Sequence, residues 1–444
     1  MAGRVPWLEV NVRITLERLV VLCGVIAFIF WGRDGANPDV RDLDLVCHAV
    51  SPDKNAFTYF ASATNHLCLP ADHRVVSDYL SGKPADDTLI QNIIASNAGA
   101  RGFIQRGLAC KTCVWPSQGD ADMPVTCITE WVRLANLLAI TGRHGRLAGK
   151  TDEATRACIE LIEFGNMTQA NARGLIMYLV GIGLLEKGLT QARELARDPG
   201  ISAENVRLLL QALDNKSGAV AQGLVHAAKG EYEFGAGTVD RLRAGRFRLP
   251  AQNEASRGSL FGLKIRPFYF FQPNKTKGLL AACYREVIAD ATRCYAGMRW
   301  PDLDAIDAFG KNPGWNAFCP NPIGRIFCVA LVPASRSVLE RKCRTQCSVD
   351  ATRLILAANL FRRREGHWPT GLADLVPDYL AAIPGDAYDG QPFRCVPSRN
   401  VIYSIGPDLK DSGGSKASPA YVDGAGWIKN RCNTEDLVWE LGGP

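Results

Sequence analysis

Between residues 127 and 229 the sequence predicts one helix after another. Apolar side chains recur there at three- and four-residue steps, and capping or turn residues separate the segments. The predicted helices cover residues 128–140, 152–164, 172–196 and 202–213. Because helical spacing dominates the longest periodic part of the chain, we expect a mainly α-helical fold with a helical body over residues 37–320.

Length and charge limit the classes of protein to consider. The chain has 444 residues, of which 47% are hydrophobic and 22% are charged, which suits two or three globular domains. The 51 lysines and arginines exceed the 45 acidic residues by six, and the basic residues are scattered among acidic ones. We therefore expect no nucleic-acid partner, and the sequence identifies no small-molecule substrate.

The N-terminus carries a candidate membrane segment. Leu19–Trp31 is a run of thirteen apolar residues without a charge, and three arginines among residues 4–18 precede it. The positive-inside rule then places the N-terminus in the cytoplasm. A signal-peptide cut after Ala36 would put Asp34 where a small residue is needed, so we expect no cleavage.

Residues 1–36 are therefore predicted to form a cytoplasmic tail and an N-terminal membrane helix. The chain would cross a bacterial inner membrane once, with its bulk in the periplasm. The apolar run is short for a span, so a buried core helix is the alternative, and the run would also suit a signal-peptide core.

A second uncharged stretch lies inside the helical body. Leu175–Leu185 could touch a membrane, but it is shorter than a span and charged residues flank it, which favours a buried central helix. The pair of helices over residues 172–196 and 202–213 loosely resembles one tetratricopeptide-like helical hairpin. No repeat period extends along the chain.

Glycine, proline and asparagine mark two predicted loops. Residues 231–267 are rich in glycine and arginine and lack periodicity, which predicts a linker. Residues 300–322 form a second predicted loop, and a domain boundary is expected near its end. A helix is also predicted over residues 86–110.

The C-terminal part, residues 321–444, is predicted to be a small α+β module. A long helix over residues 334–364 carries one apolar stripe. Residues 393–396 and 401–405 are predicted to be two short strands, and residues 397–400 between them indicate a hairpin.

The order of motifs in this module carries a resemblance. The motifs are Arg364-Glu-Gly-His-Trp-Pro369, Leu375-Val-Pro377, Ile383-Pro384, Asp389-Gly-Gln-Pro-Phe393 and Tyr403-Ser-Ile-Gly-Pro-Asp408. Over residues 340–440 the chain resembles the pilin-like head of the major pseudopilin of type II secretion. The whole chain is similar to large bacterial envelope proteins that carry this tail behind a helical body.

The resemblance implies a long helix on a small antiparallel sheet and a carboxylate loop that holds calcium. It implies no enzymatic activity. The chain departs from the family in three ways: the module begins more than 300 residues into the chain, and Ala387 and Leu409 stand where the family usually has proline and glycine. No processing site or polymerising N-terminal helix precedes the module.

The candidate metal ligands are Asp408, Asp411 and Asp436, with Asp423 in the same Gly-rich region. Calcium prefers several oxygen ligands from a flexible loop. The resemblance matches Asp408 to the aspartate after the second strand and Asp436 to an aspartate near the end. A solvated acidic loop is the alternative.

The remaining chemistry is open. Of the 15 cysteines, Cys23 lies in the apolar run, and the other 14 could form disulfides in an oxidising periplasm or serve as small buried side chains. Cys110 and Cys113 could bind zinc or act as a redox pair, but neither use has its usual sequence context. Cys343 and Cys347 lie one helical turn apart, which suits a partner contact, a metal or neither.

No nucleophile elbow, phosphate loop or dinucleotide fingerprint occurs. This absence favours a structural or interaction protein of the envelope, with envelope proteins as partners. An accessory component of a secretion or pilus-like system is the first alternative, and an enzyme with an unrecognised site in the helical body is the second.

Overall fold

The computed structural model describes residues 21–25, 32–45, 50–115, 125–244, 270–299, 320–332, 334–415 and 436–442. These residues are mainly helical, as predicted. The α-helices are α1 Ala56–Asn65, α2 His73–Leu80, α3 Asp87–Ser96, α4 Ala98–Leu108, α5 Val125–Leu147, α6 Thr151–Ala170, α7 Leu175–Ala196, α8 Ala203–Ala212, α9 Lys216–Arg243, α10 Pro273–Ala291, α11 Pro322–Leu331 and α12 Ala334–Glu365. Short 3-10 helices cover Arg41–Leu43, Pro52–Lys54, Tyr295–Gly297, Leu372–Leu375 and Pro397–Arg399.

A small sheet near the C-terminus completes the secondary structure. Its strands are β1 Arg394–Val396, β2 Val401–Ser404 and β3 Leu437–Glu440, in the order β1-β2-β3 with both pairs antiparallel. The predicted hairpin of β1 and β2 is confirmed. The sequence pattern did not predict β3, whose pairing partner lies more than 30 residues earlier in the chain.

Contacts divide the chain into two compact units. Unit 1 comprises Met1–Asp44, Tyr232–Arg285 and Pro301–Ala334, and unit 2 comprises Leu45–Glu231, Glu286–Trp300 and Ser335–Pro444. The boundaries predicted from sequence, after residues 36 and 320, stay a prediction about folding units.

Unit 2 contains the large hydrophobic core, to which α5, α6, α7 and α12 all contribute. Helices α6 and α7 pack closely because glycines face the partner backbone. A Cβ atom added to Gly188 would meet Ile162 Cγ1 at 2.7 Å, and one added to Gly165 would overlap the backbone of Leu185. Leucine and isoleucine side chains fill the space on either side.

Helix α7 contains the uncharged stretch that begins at Leu175. Within the described residues it is the helix long and apolar enough to cross a membrane, judged by length and composition alone, and 56% of its apolar window is buried inside the protein. This burial agrees with the prediction of a central core helix.

Several helix boundaries differ from the prediction, and α6 runs to Ala170 where the predicted end was residue 164. Helix α5 does not end near residue 140, because Gly142 and Gly145 permit close contact with the side chain of Gln191 and the backbone of Ala154. Helix α9 extends to Arg243 where a linker was predicted. The helix predicted over residues 86–110 breaks at Asn97, whose buried amide bonds to the backbone of Cys68.

In unit 1, the segment that follows the predicted anchor packs along α10. Arg285 forms two hydrogen bonds of 2.7 Å with the carboxylate of Asp42, and the rings of Tyr232 and Tyr284 contact each other edge to face. Of the predicted N-terminal membrane helix, only Val21–Val25 falls within the described residues, and it is helical and exposed. The rest of that helix lies outside them.

Candidate functional site

A buried carboxylate organises the C-terminal sheet. Asp386 is 1% exposed, and its Oδ1 accepts hydrogen bonds from Ser404 Oγ at 2.8 Å and from the Tyr388 N–H at 2.9 Å. Its Oδ2 accepts the N–H of Ile405 at 3.0 Å. The thiol of Cys347, on α12, approaches Oδ1 at 3.4 Å. Asp386 therefore joins a turn, the end of β2 and the long helix.

Arg394 on β1 lies beside three carboxylates. Its guanidinium is 2.6 Å from Asp389, 3.1 Å from Asp411 and 3.5 Å from Asp386, all measured between nitrogen and carboxylate oxygen. The sequence pattern assigned no site role to Asp386, Asp389 or Arg394. A sequence signal existed in the two aspartates three residues apart, Asp386 and Asp389, but their common partner Arg394 is evident only in the folded chain.

Of the three predicted calcium ligands, the structure places Asp411 and Asp436 close together. Asp436 accepts the backbone N–H groups of Ser412 at 3.2 Å and Gly414 at 2.6 Å. Burial raises the pKa of Asp436, these N–H groups oppose the rise, and the neighbouring charge of Asp411 adds to it. Among the described residues, Asp408 accepts a hydrogen bond only from the N–H of Lys410, two residues on.

The described residues do not provide an obvious calcium shell. Asp411 accepts the hydroxyl of Tyr403 at 3.1 Å and pairs with Arg394, so donors of the protein itself occupy its oxygens. Within the described part of the chain, no three His, Cys, Asp or Glu side chains are grouped as metal ligands. The calcium site at Asp408, Asp411 and Asp436 stays a prediction.

A groove lies beside the sheet, where β3, α7 and α12 meet. It encloses about 330 Å³, and its lining includes Ile182, Gly183 and Glu186 of α7, Arg341, Arg344, Thr345 and Ser348 of α12, and Leu437, Val438 and Trp439 of β3. Strand β3 is an edge strand, and no described strand pairs with its outer side. An edge strand presents main-chain N–H and C=O groups that can pair with an added strand.

The charge of this groove is positive. Glu186 is neutralised, because it accepts hydrogen bonds from Arg193 and Ser348, each at 2.9 Å. Arg341 and Arg344 form no ion pair with any residue that the structure describes. Two guanidinium groups therefore line a groove whose third wall is an edge strand, an arrangement that fits an extended, acidic peptide segment.

Burial suppresses the reactivity of two described cysteines, Cys113 and Cys343. The structure assigns no disulfide among the eleven cysteines that it describes. Burial raises the pKa of Cys113 to about 12 and that of Cys343 to about 11, so both stay protonated near neutral pH. The Nδ1 atom of His144 lies 3.3 Å from a carboxylate oxygen of Asp87.

No protein-family model, curated protein or solved structure matches this chain. The geometry of the groove and of the C-terminal sheet therefore carries the argument about function.

Proposed function

We propose that this chain is a membrane-anchored structural or interaction protein of the bacterial envelope, with a pseudopilin-like C-terminal module. The observation that carries the proposal is that α12 contacts both the sheet region and the helical body. On one side Cys347 contacts Asp386 and Ser404 of the sheet region, so the long helix packs on the small sheet, which supports a pilin-like arrangement. On another side the same helix is held by the helical body.

The contacts with the body are specific. Arg193 of α7 donates hydrogen bonds to Ser348 at 3.0 Å and to Thr352 at 2.8 Å, and Asn359 donates to the carbonyl of Ala196 at 2.6 Å. A pseudopilin assembles through a protruding apolar helix. Because the body covers α12, we infer that this head presents a binding surface and does not polymerise.

The groove beside β3 supplies that surface. An acidic, extended segment of an envelope partner could add to the edge strand and place carboxylates on Arg341 and Arg344. The pseudopilin-like arrangement also supports a second candidate function, in which this chain is an accessory component of a type II secretion or pilus-like system and the partner belongs to that system.

Location is tested with a phosphatase reporter that is active only after export. Fusions after residues 50 and 444 are expected to be active, and a fusion after Arg18 is expected to be inactive. Inactive fusions at residues 50 and 444 would contradict the anchored, periplasmic arrangement.

Binding is tested with a photo-reactive amino acid in the groove. Position 183 suits it, because a Cβ atom added to Gly183 meets nothing within 4 Å. Gly218, on α9 of the same unit, has equally open space and serves as the control. We expect one discrete adduct from position 183 that Arg341→Glu with Arg344→Glu abolishes. Equal cross-linking from both positions would contradict the groove as a binding site.

A further inference from the structure

The end of the predicted anchor is held at the start of α10. Asp34, three residues after the apolar run, accepts the N–H of Asn274 at 3.0 Å and that of Lys275 at 3.2 Å. The side chain of Asn274 donates in return to the carbonyl of Gly35 at 2.7 Å. A carboxylate at a helix N-terminus satisfies N–H groups that have no partner within the helix. These bonds fix the segment that follows the predicted anchor to the start of α10.

Helix α11 begins at the same place. Asn321 accepts the N–H of Gln272 at 2.9 Å and donates to Thr276 Oγ1 at 3.0 Å. The N–H of Ile323 donates to the carbonyl of Phe270 at 3.1 Å. Phe270 and the first turn of α11 therefore lie beside the residues that hold the end of the anchor.

Apolar side chains are exposed at this position. Phe270 is 60% exposed and Ile326, on α11, is 54% exposed. Two further apolar residues of α11, Ile323 and Phe327, are half-buried. We call these four residues the apolar patch. The opposite side of α11, which includes Cys328, is buried, so the helix is apolar on both faces. A helix of this kind is usually covered on every side by protein or lipid.

We propose that the apolar patch lies in the interfacial layer of the same membrane that receives the anchor, as a second membrane contact of unit 1. The inference rests on the proposed anchor. It follows from where the anchor ends, since Asp34 ties that end to the helix that follows Phe270. It also follows from charge, because Lys275 and Arg325 flank the patch and neither forms an ion pair with a described residue. Lysine and arginine at a bilayer surface pair with anionic headgroups.

The membrane contact is measured on the full chain in vesicles of phosphatidylcholine and phosphatidylglycerol. A fluorescent amino acid is introduced separately at Phe270, Ile326, Val25 and Leu147, and is quenched either by nitroxide lipid or by aqueous iodide. Leu147, in unit 2, is 59% exposed and is the control. We expect nitroxide lipid to remove most emission at positions 25, 270 and 326, and iodide alone to quench position 147.

The other outcomes separate the two proposals. If nitroxide lipid quenched position 25 while positions 270 and 326 were quenched only by iodide, as position 147 is, the proposed membrane contact of the apolar patch would be wrong. The proposed anchor would still stand. A reporter at position 25 that lipid does not quench would remove the anchor and this inference together. Shielding of position 326 from both quenchers would assign the patch to a second copy or to another segment of the chain, which also overturns the inference.

A variant tests the patch without a reporter in its centre. Ile326→Asp is expected to reduce lipid quenching of the reporter at position 270 at least twofold, since the change removes apolar area from the contact and anionic headgroups repel a carboxylate. The matched change Leu147→Asp is expected to leave that quenching unchanged. An equal response to both changes would contradict the proposed contact.

Discussion

Ser404 donates a hydrogen bond of 2.8 Å to the carboxylate of Asp386, and both residues are buried. This bond connects the turn before β1 to the end of β2, and Cys347 adds α12 to the same carboxylate. A buried carboxylate is tolerated only when its oxygens find donors, and Asp386 has several. Its position at the junction of helix, turn and sheet makes it the residue on which the module most depends.

We therefore expect Asp386→Asn to lower the free energy of unfolding by about 2 to 4 kcal/mol, because an amide nitrogen replaces an oxygen that accepts from buried donors and Arg394 loses a counter-charge. Asp408→Asn, at a side chain whose one hydrogen bond within the described part of the chain comes from the N–H of Lys410, should change the free energy by about 0.5 kcal/mol or less. Urea unfolding of the full chain in detergent measures both. Similar values for the two variants would contradict the central role of Asp386.

Leu409 adopts φ +58°, a left-handed conformation that favours glycine. The residue is 40% exposed, so its side chain contributes little burial. We expect Leu409→Gly to raise the free energy of unfolding by about 0.5 to 1 kcal/mol, because the strain of the left-handed backbone is relieved. Thermal unfolding followed by circular dichroism measures the change.

Gly413 provides the matched control for this prediction. Its φ is +66° in the same loop, so Gly413→Ala introduces the strain that Leu409→Gly removes, and the melting temperature should fall. If Leu409→Gly lowered the melting temperature as well, side-chain packing of Leu409 would outweigh its backbone strain.

Local patterns predicted the helices but not where glycine-containing helices end. Gly142 and Gly145 suggested a stop, yet they lie inside α5 because a neighbouring helix approaches them. Residues 231–243, the first part of the predicted linker, are helical instead, and Tyr232 and Val239 form a buried stripe there on α9, while residues 245–267 lie outside the described residues. A glycine that breaks a helix and one that permits close packing look alike until the partner helix is known.

The candidate site was harder to predict than the fold. Asp436 and Asp411 could be named from a Gly-rich acidic region, but their partners could not. Arg394 forms ion pairs with both Asp389 and Asp411. Asp386 contacts the thiol of Cys347, which lies 39 residues earlier in the chain. Contacts at this sequence separation leave no local pattern. The lining of the groove combines three elements, of which β3 was not predicted.

Glu231 gives the stability a defined pH dependence. Its Oε2 accepts the N–H of Leu175 at 2.9 Å, at the start of α7. Burial raises the pKa of Glu231 above its ordinary value of 4.5, and the bond from Leu175 only partly offsets this rise. A carboxyl group with a raised folded-state pKa holds its proton more tightly in the folded protein than in the unfolded chain.

The contribution of Glu231 is therefore fully present below its ordinary pKa and is lost as the pH rises through the raised value. We expect Glu231→Gln to flatten the decline of the unfolding free energy in that window. Glu204→Gln, at a side chain that is 71% exposed, should leave the decline as it is. Unfolding in urea across a pH series provides the comparison. An unchanged slope in Glu231→Gln would show that another group titrates there.

The last prediction concerns whether the C-terminal module folds by itself. Sequence analysis treats residues 321–444 as a separate module. In the structure, α12 buries Leu354, Ile355 and Ala358 in the core that α6 and α7 also form. Arg193 also reaches Ser348 across that contact. A fragment of residues 334–444 alone would expose this apolar face to water, at a cost of about 25 cal/mol for each Å².

We expect that fragment to lack the near-ultraviolet circular dichroism of fixed aromatic side chains. Co-expression with residues 1–300, which supply α6 and α7, should restore it, because the same core can form between two chains. The control carries Arg193→Ala in the longer chain, which removes the bonds to Ser348 and Thr352 and should weaken the pairing. A fragment that folds alone, with a cooperative thermal transition, would show that the sheet and Asp386 suffice to stabilise α12.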